Sequence, residues 1–270
     1  MLCGILGENW KKKWRGIMKF RPCIDIHNGK VKQIVGGSLK DTNNEATTNF
    51  TSEYEAKHYA LKYKEDGLKG GHIILLNPIT SEFYETTKKQ AIQALQAYPE
   101  GMQIGGGITC ENAKQYLEQG ASHVICTSYV FENGQIHWGR LEKLVALIGK
   151  DRLVLDLSCR KKEDGYFIVT NRWQTFTELK LSAAVLDEMC KYCDEFLIHG
   201  VDVEGKSSGV EEELVTLLAS WNRIPITYAG GIGSMKDLKK FEELSQGKLD
   251  YTIGSALDLF GGSIPYEDIK

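Results

Sequence analysis

Two aspartates and two pairs of glycines hold the chemistry that can be read from this chain. Asp25 closes the apolar run RPCID, and Asp156 sits in LVLDLS, 131 positions further on. QIGGGITC contains Gly106 and Gly107, and TYAGGIGS contains Gly230 and Gly231, 124 positions later. Thr127 and Ser128 after HVIC recur as Gly254 and Ser255 after YTI, 127 apart. Paired glycines at a strand end let the backbone approach a ligand and turn its N–H groups outward, and a helix starting there adds partial positive charge. A hydroxyl at the next strand end supplies another donor. One such pair alone reads as a tight turn. Two pairs at matched positions, each followed one unit later by small or hydroxyl residues, predict two opposed phosphate sites and a ligand with a phosphate at each end. The aspartates then lie between the sites, where one carboxylic acid and one carboxylate can donate and accept protons if their surroundings split their pKa values. Taken singly, either aspartate could instead cap a loop or pair with a lysine or Arg160.

These residues need a scaffold that brings distant strand ends together. From Phe20 onward, short apolar runs alternate with longer amphipathic ones. RPCIDI, HIILLN, MQIGGG, HVICTS, LVLDLS, EFLIHG, ITYAGG and YTIGSA read as strands buried on both faces. Segments such as CENAKQYLEQG, EEELVTLLASW and SMKDLKKFEEL between them step apolar residues by three and four, as helices do. Eight such units in about 250 residues predict an α/β fold, a single closed (β/α)8 TIM barrel. The repeated landmarks divide it into half-barrels at about 20–150 and 151–270, with 1–19 a disordered extension. An open doubly wound sheet is the alternative. Hairpin-like insertions, HNGKVKQIVGG after the first run and RKKEDGYFIVTNRWQT after the fifth, fall at equivalent places in the two halves.

Composition narrows the function. A net charge of −3 and no basic cluster beyond KKKWR argue against a nucleic-acid surface. No apolar run approaches the ~20 residues of a membrane span. The seven cysteines are scattered; Cys190 and Cys193 lie in a helical pattern and read as inert thiols in a reducing compartment. The first residues do not fit a secretion signal, which points to the cytoplasm, or to a plastid if they are a targeting remnant. No metal-ligand spacing is present among the six histidines. His58, His72 and His123 read as structural, whereas His27 and His199 stand at strand ends near the expected substrate. Trp173, in the second insertion, is either a stacking platform for a flat heterocycle or an apolar anchor for its hairpin.

CIDIHNGKVKQIVGG, QIGGGI, HVICTSYVF, LDLSCRKK, NRWQT, EFLIHGVDVEG, TYAGGI and GSALDLFGG, in this order, resemble the phosphoribosylformimino-aminoimidazole carboxamide ribotide isomerases of histidine biosynthesis, above all their plant and fungal branch. The resemblance runs from about Phe20 to the end. It implies a half-barrel-repeat enzyme, often monomeric, that performs an Amadori rearrangement on a bisphosphate substrate without a cofactor. Asp156 would be the general acid and Asp25 the general base, with Trp173 stacking. Bacterial relatives have a threonine where this chain has Gly200, an aspartate where it has Glu204, and arginines where it has Thr109 and Ser255. His199, Asp202 or Glu204 would then fill the helper role on strand six, and the anion sites would rest on backbone N–H groups and hydroxyls. The eighth helix would be short. Two alternatives compete: the sister cyclase barrel of imidazole glycerol phosphate synthase, and a catalytically silent barrel that binds a phosphorylated metabolite.

Overall fold

The computed structural model describes residues 18–34 and 48–270. The expectation for residues 1–17 and the far end of the first insertion, 35–37, lie outside them. Eight parallel strands are present: β1 Cys23–His27, β2 Gly71–Leu75, β3 Met102–Gly105, β4 Val124–Cys126, β5 Leu153–Asp156, β6 Glu195–His199, β7 Ile226–Ala229 and β8 Asp250–Thr252. Each pairs with its neighbour in sequence order. Closure comes from the segment before β1: Tyr251 N–H donates to Lys19 O at 3.1 Å, and Arg21 N–H donates to Tyr251 O at 2.7 Å. Arg21 adds an ion pair to Asp250 at 2.8 Å. The sheet is therefore a barrel and not an open doubly wound sheet.

Among the described residues seven α-helices join the strands: α1 Ala56–Glu65, α2 Tyr84–Ala97, α3 Ala113–Glu118, α4 Trp138–Ile148, α5 Ala183–Met189, α6 Glu212–Trp221 and α7 Met235–Ser245. Their buried positions follow the helical period; in α7 these are Leu238, Phe241 and Ser245. Ser182 and Ser234 cap α5 and α7 by accepting the N–H groups of Val185 and Asp237, a contact worth about 1 kcal/mol each. Among the described residues no α-helix follows β8, which corrects the expectation of a short eighth helix. Gly261, Gly262 and Pro265 interrupt the segment, leaving single 3-10 turns at Asp258–Phe260 and Tyr266–Asp268. It is tied down instead by Tyr266 and Lys270, which donate to the two carboxylate oxygens of Asp66 at 2.7 and 2.8 Å.

The strand period of two sorts side chains into two cores. Outward residues such as Ile24, Ile73, Ile104 and Val124 join the large cluster under the helices. Inward residues Ile74, Ile125, Val154 and Leu197 form a separate cluster inside the barrel. Each fully buried aliphatic side chain contributes roughly 1.5–3 kcal/mol. The interior also holds a carboxyl group, Glu195, which accepts from Gln103 Nε2 at 2.9 Å and Thr227 Oγ1 at 2.6 Å. These bonds offset the cost of burying it.

Both insertions begin as hairpins. Asn28 and Gly29, at φ 51° and 72°, make the two-residue turn between β1 and the strand Lys30–Ile34. After β5, Cys159–Lys162, Gly165–Thr170 and Thr175–Lys180 form a three-stranded antiparallel sheet. The loop after β2 is pinned to the first turn by Asn77 Oδ1, which accepts Asn28 N–H at 2.8 Å. The loop after β6 is pinned to the second insertion by Asp202, 125 positions later, which accepts Lys161 N–H at 2.9 Å. The half-barrel repeat thus extends into the loop anchors.

Candidate active site

Strand register aims the two aspartates into the barrel. Asp25 lies opposite Ile74, and Asp156 opposite Leu197. Both partners belong to the inward cluster, and residues level with one another on parallel strands share a face. Burial penalises each carboxylate and raises its pKa, to about 7 for Asp25 and about 6 for Asp156. The lower value follows from Ser158, whose N–H at 2.8 Å and hydroxyl both donate to Asp156 Oδ1. Asp156 is thus a loop acceptor as well as a lumen-facing carboxyl, and the structure gives Arg160 to Asp202 instead, at 2.9 Å.

His199 closes a chain with that serine. Its Nδ1 lies 2.9 Å from Ser158 Oγ. Because the hydroxyl proton goes to Asp156, Nδ1 must carry a proton and Nε2 is left as the acceptor. Burial holds the ring neutral, with its pKa lowered to about 4. The Trp173 ring stands 5.2 Å from it, tilted by 46°, so the second insertion touches the end of β6. Asn171, Arg172 and Trp173 all have positive φ, a left-handed turn that costs about 1–2 kcal/mol per residue. His27 is also neutral, lowered to about 4 by burial and by Lys32 and Arg172.

The glycine pairs adopt the conformation that only glycine takes freely. Gly106 and Gly107 have φ 98° and 72°; Gly230 and Gly231 have φ 115° and 80°. A Cβ on Gly106 would meet Leu75 O at 2.1 Å, and one on Gly230 would meet Gly200 O at 2.8 Å. Leu75 and Gly200 are themselves counterparts, at the ends of β2 and β6. Among the described residues, the N–H groups of Gly107, Ser128, Gly231 and Ser255 have no acceptor in the protein, so they are free for an anion. The helix contribution differs from expectation. The chain runs on from Gly231 to Ser234 before α7 starts, and Asp237 accepts Gly233 N–H and the Ser234 hydroxyl there. Asn112 likewise accepts Thr109 N–H before α3. Local carboxylate and amide caps therefore occupy the first turns, and the cradles rest on loop amides.

A small cavity open to solvent joins Asp25, His199, Glu204, Gly230, Gly231, Gly254 and Ser255. Asp156, Trp173 and the cradle of Gly106, Gly107, Thr127 and Ser128 stand outside its lining. Ser128 is exposed and accepts Asn171 N–H at 2.9 Å. Glu204 is raised to about 7, first by burial and then by Asp25 beside it. Asp202 is spent on Arg160 and Lys161, so it positions the second insertion and leaves strand six's polar groups as His199 and Glu204. His72, expected to be structural, also lines this cavity, its ring 6.4 Å from that of His199. Ser207 and Gln33 line it too. A polar residue on an inward strand position is the signal for His72; nothing in the sequence marks Ser207. Cys193 is buried with its thiol pushed up, as an inert thiol should be.

Among the described residues no group of three histidines, cysteines or acids is placed to hold a metal ion, and no helix is long and apolar enough to cross a membrane. The model of the histidine biosynthesis protein family matches residues 19–264. The chain is 54% identical over 93% of its length to the chloroplastic 1-(5-phosphoribosyl)-5-((5-phosphoribosylamino)methylideneamino) imidazole-4-carboxamide isomerase of Medicago truncatula, covering 80% of that protein. It is 46% identical to the isomerase of the same name from Saccharomyces cerevisiae, covering 93% of this chain and 96% of that one. The Neurospora crassa isomerase is 45% identical, with 90% and 93% covered. A closed barrel with repeated glycine pairs, matched over nearly its whole length by these relatives, places the chain in the histidine biosynthesis protein family.

Proposed function

We propose that the chain isomerises the aminoaldose named in its relatives, an imidazole carboxamide carrying two phosphoribosyl groups, to the aminoketose. The observation that supports this best is the pair of lumen-facing carboxyls, Asp25 and Asp156, each one half of a repeat that also supplies a Gly-Gly cradle. The cradles hold the two phosphates and stretch the substrate across the barrel mouth. Asp156 donates its proton to the ribose ring oxygen; the C1′–O bond breaks, and the nitrogen lone pair forms the C1′=N bond of an iminium ion. Asp25 removes the C2′ proton, and the C–H electrons flow into the iminium to give an enolamine. Tautomerisation then yields the ketone. The iminium is the electron sink, so this route requires no cofactor.

In the empty site the proton favours Asp25, at about 7, over Asp156, at about 6, so substrate binding must shift it to Asp156 before the acid step. With pKa values near 6 and 7, both carboxyls exchange protons close to neutrality. A cationic iminium beside Asp25 favours its ionised form, which a base needs. His199, held neutral through Ser158, presents Nε2 to the sugar as an acceptor. Trp173 stacks on the imidazole. The chain acts as a monomer on a small molecule, in the cytoplasm, or in a plastid if its first nineteen residues are a targeting remnant. Strand six reads LIHGVDVEG, without the segment expected of a cyclase barrel, and intact Asp25 and Asp156 argue against a silent one. The test is turnover and binding in Asp25→Asn and Asp156→Asn. Each is expected to lose roughly 10²–10⁴ in kcat, with product affinity from calorimetry nearly unchanged. Wild-type-like turnover in either variant removes that residue from the mechanism.

A further inference from the structure

The cavity of the second half-barrel presents a charge problem. Its lining contains two carboxyl groups, Asp25 and Glu204, and no lysine or arginine. A phosphate dianion entering beside them meets amides and hydroxyls but no cation, and burying a charge without a partner is costly. The cations nearest the other side of the mouth, Lys32 and Arg172, act on His27 at the end of β1. One lysine lies inside the sequence that lines the cavity. Lys206 stands between Gly205 and Ser207, both of which face it.

The segment is held against the cradle. Gly209 N–H donates to Gly231 O at 3.1 Å. A Cβ on Gly231 would reach Gly209 O at 2.0 Å, and one on Gly233 would reach Ser207 Cβ at 2.3 Å. The glycines of the cradle therefore have a second role, which is to let the loop after β6 lie directly on them. The Lys206 side chain is exposed, and Nζ donates to Asp202 O at 2.7 Å. That contact is a single bond to a neutral carbonyl at the surface, and a lysine stem reorients by side-chain rotation alone. A dianion offers the ammonium a stronger, charge-assisted bond than a carbonyl does.

We infer that Lys206, with the Ser207 hydroxyl beside it, is the cation of the second phosphate site, swinging from Asp202 O to the anion held by Gly231 and Ser255. The inference rests on the isomerase reading only in that the ligand carries a phosphate there. Glu204 occupies the same loop, and burial and Asp25 raise its pKa to about 7, so its opposing charge is reduced near neutrality.

Inorganic phosphate tests this without turnover. Titration into the full chain is followed by amide NMR at Gly231 and Ser255, in wild type, Lys206→Ala, Lys206→Arg and, as a charge-matched control on α7, Lys240→Ala. Lys206→Ala is expected to weaken phosphate at these amides roughly 10- to 100-fold. Lys206→Arg should keep most of the affinity, and Lys240→Ala all of it. In turnover, Lys206→Ala should raise KM by a similar factor while kcat stays close to wild type. Unchanged phosphate affinity in Lys206→Ala, or equal losses in Lys206→Ala and Lys240→Ala, overturns the inference. A wild type that binds phosphate through Lys206 but does not isomerise the substrate sinks the isomerase reading and leaves this site standing.

Discussion

The two half-barrels share a skeleton and differ in what covers it. Asp25 and Asp156, the positive-φ glycine pairs, the hairpins after β1 and β5, and the loop anchors Asn77 and Asp202 all recur at matched places. Past the anchors the likeness ends. In the first half, Asn77 Nδ2 turns back to Asn28 Oδ1 at 2.7 Å, and Ile79 projects into solvent. Gly107 and Ser128 stay exposed. In the second half, the chain after Asp202 folds down onto Gly231 and Gly233 and lines a cavity open to solvent. Strands are fixed by the packing of both cores, so the repeat survives there. Among the described residues, the loop after β6 covers the second cradle, while Gly107 and Ser128 of the first stand exposed.

Substituting the second glycine of each pair separates shared skeleton from acquired cover, and it carries the largest expected effect. Both residues have φ near 75°, so alanine costs each about 1–2 kcal/mol of backbone strain. At Gly107 nothing lies within 4 Å of the new Cβ, and that strain is the whole cost. At Gly231 the methyl group meets the Gly209 carbonyl at 2.0 Å, a backbone atom that cannot step aside without moving the loop. Gly231→Ala should therefore lose roughly 3 kcal/mol or more in urea unfolding, with phosphate binding at Ser255 abolished. Gly107→Ala should stay folded. Equal destabilisation would mean that the covering loop is not packed on the second cradle.

A smaller effect should appear at Ser158, the residue that makes Asp156 unlike Asp25. Its hydroxyl stabilises the Asp156 carboxylate, holding the pKa at about 6 against about 7 for Asp25, where burial acts unopposed. The profile of kcat/KM against pH should be bell-shaped with limbs near these values. Ser158→Ala raises the lower one, so the acid limb moves up towards pH 7 and the bell narrows. The sign in stability is fixed by linkage. A carboxyl whose folded pKa lies above its unfolded value of 3.8 contributes stability below about pH 4 and loses it as pH rises through 6. Removing the hydroxyl deepens that loss by about 1–2 kcal/mol. The melting temperature of Ser158→Ala should fall further below wild type at pH 8 than at pH 5. A uniform drop would reduce Ser158 to a packing role.

Much of this was legible in the sequence because the barrel writes each element in its own period. Eight apolar runs mark the strands, and three-and-four spacing marks the helices. The glycine pairs announce positive φ because few other residues tolerate it. What stays hidden depends on which face of a strand looks inward. EFLIHG reads as uniformly buried, yet Glu195 enters the barrel to meet Gln103 and Thr227, while Phe196 faces the helices. The place of His72 is hidden for the same reason: burial is visible in sequence, but the choice between lumen and outer layer follows from register. The role of Asp202 is hidden because its partners, Arg160 and Lys161, are 42 and 41 residues away and meet it only through the fold. Nothing local to EGKSSG, residues 204–209, says that it folds onto a glycine loop 22 residues later, from Gly209 to Gly231.

The finest probe of the asymmetry is the pair of serines that follow the cradles. Ser255 lines the cavity of the second half, and among the described residues neither its N–H nor its hydroxyl is paired. Ser128 is exposed, and its oxygen already accepts Asn171 N–H. A hydrogen bond to a charged group contributes about 1.5–3 kcal/mol when water is excluded and less where water competes. Ser255→Ala should therefore raise KM roughly tenfold, and Ser128→Ala only about two- to threefold, with kcat near wild type in both. Ser128→Ala has one further consequence: without its acceptor, the turn of Asn171 to Trp173 loses a tether, so Trp173 fluorescence should become more accessible to a neutral quencher. If the order of the two KM effects were reversed, the open cradle would be the one that grips its phosphate, and the covering loop of the second half would have to serve something other than anion binding.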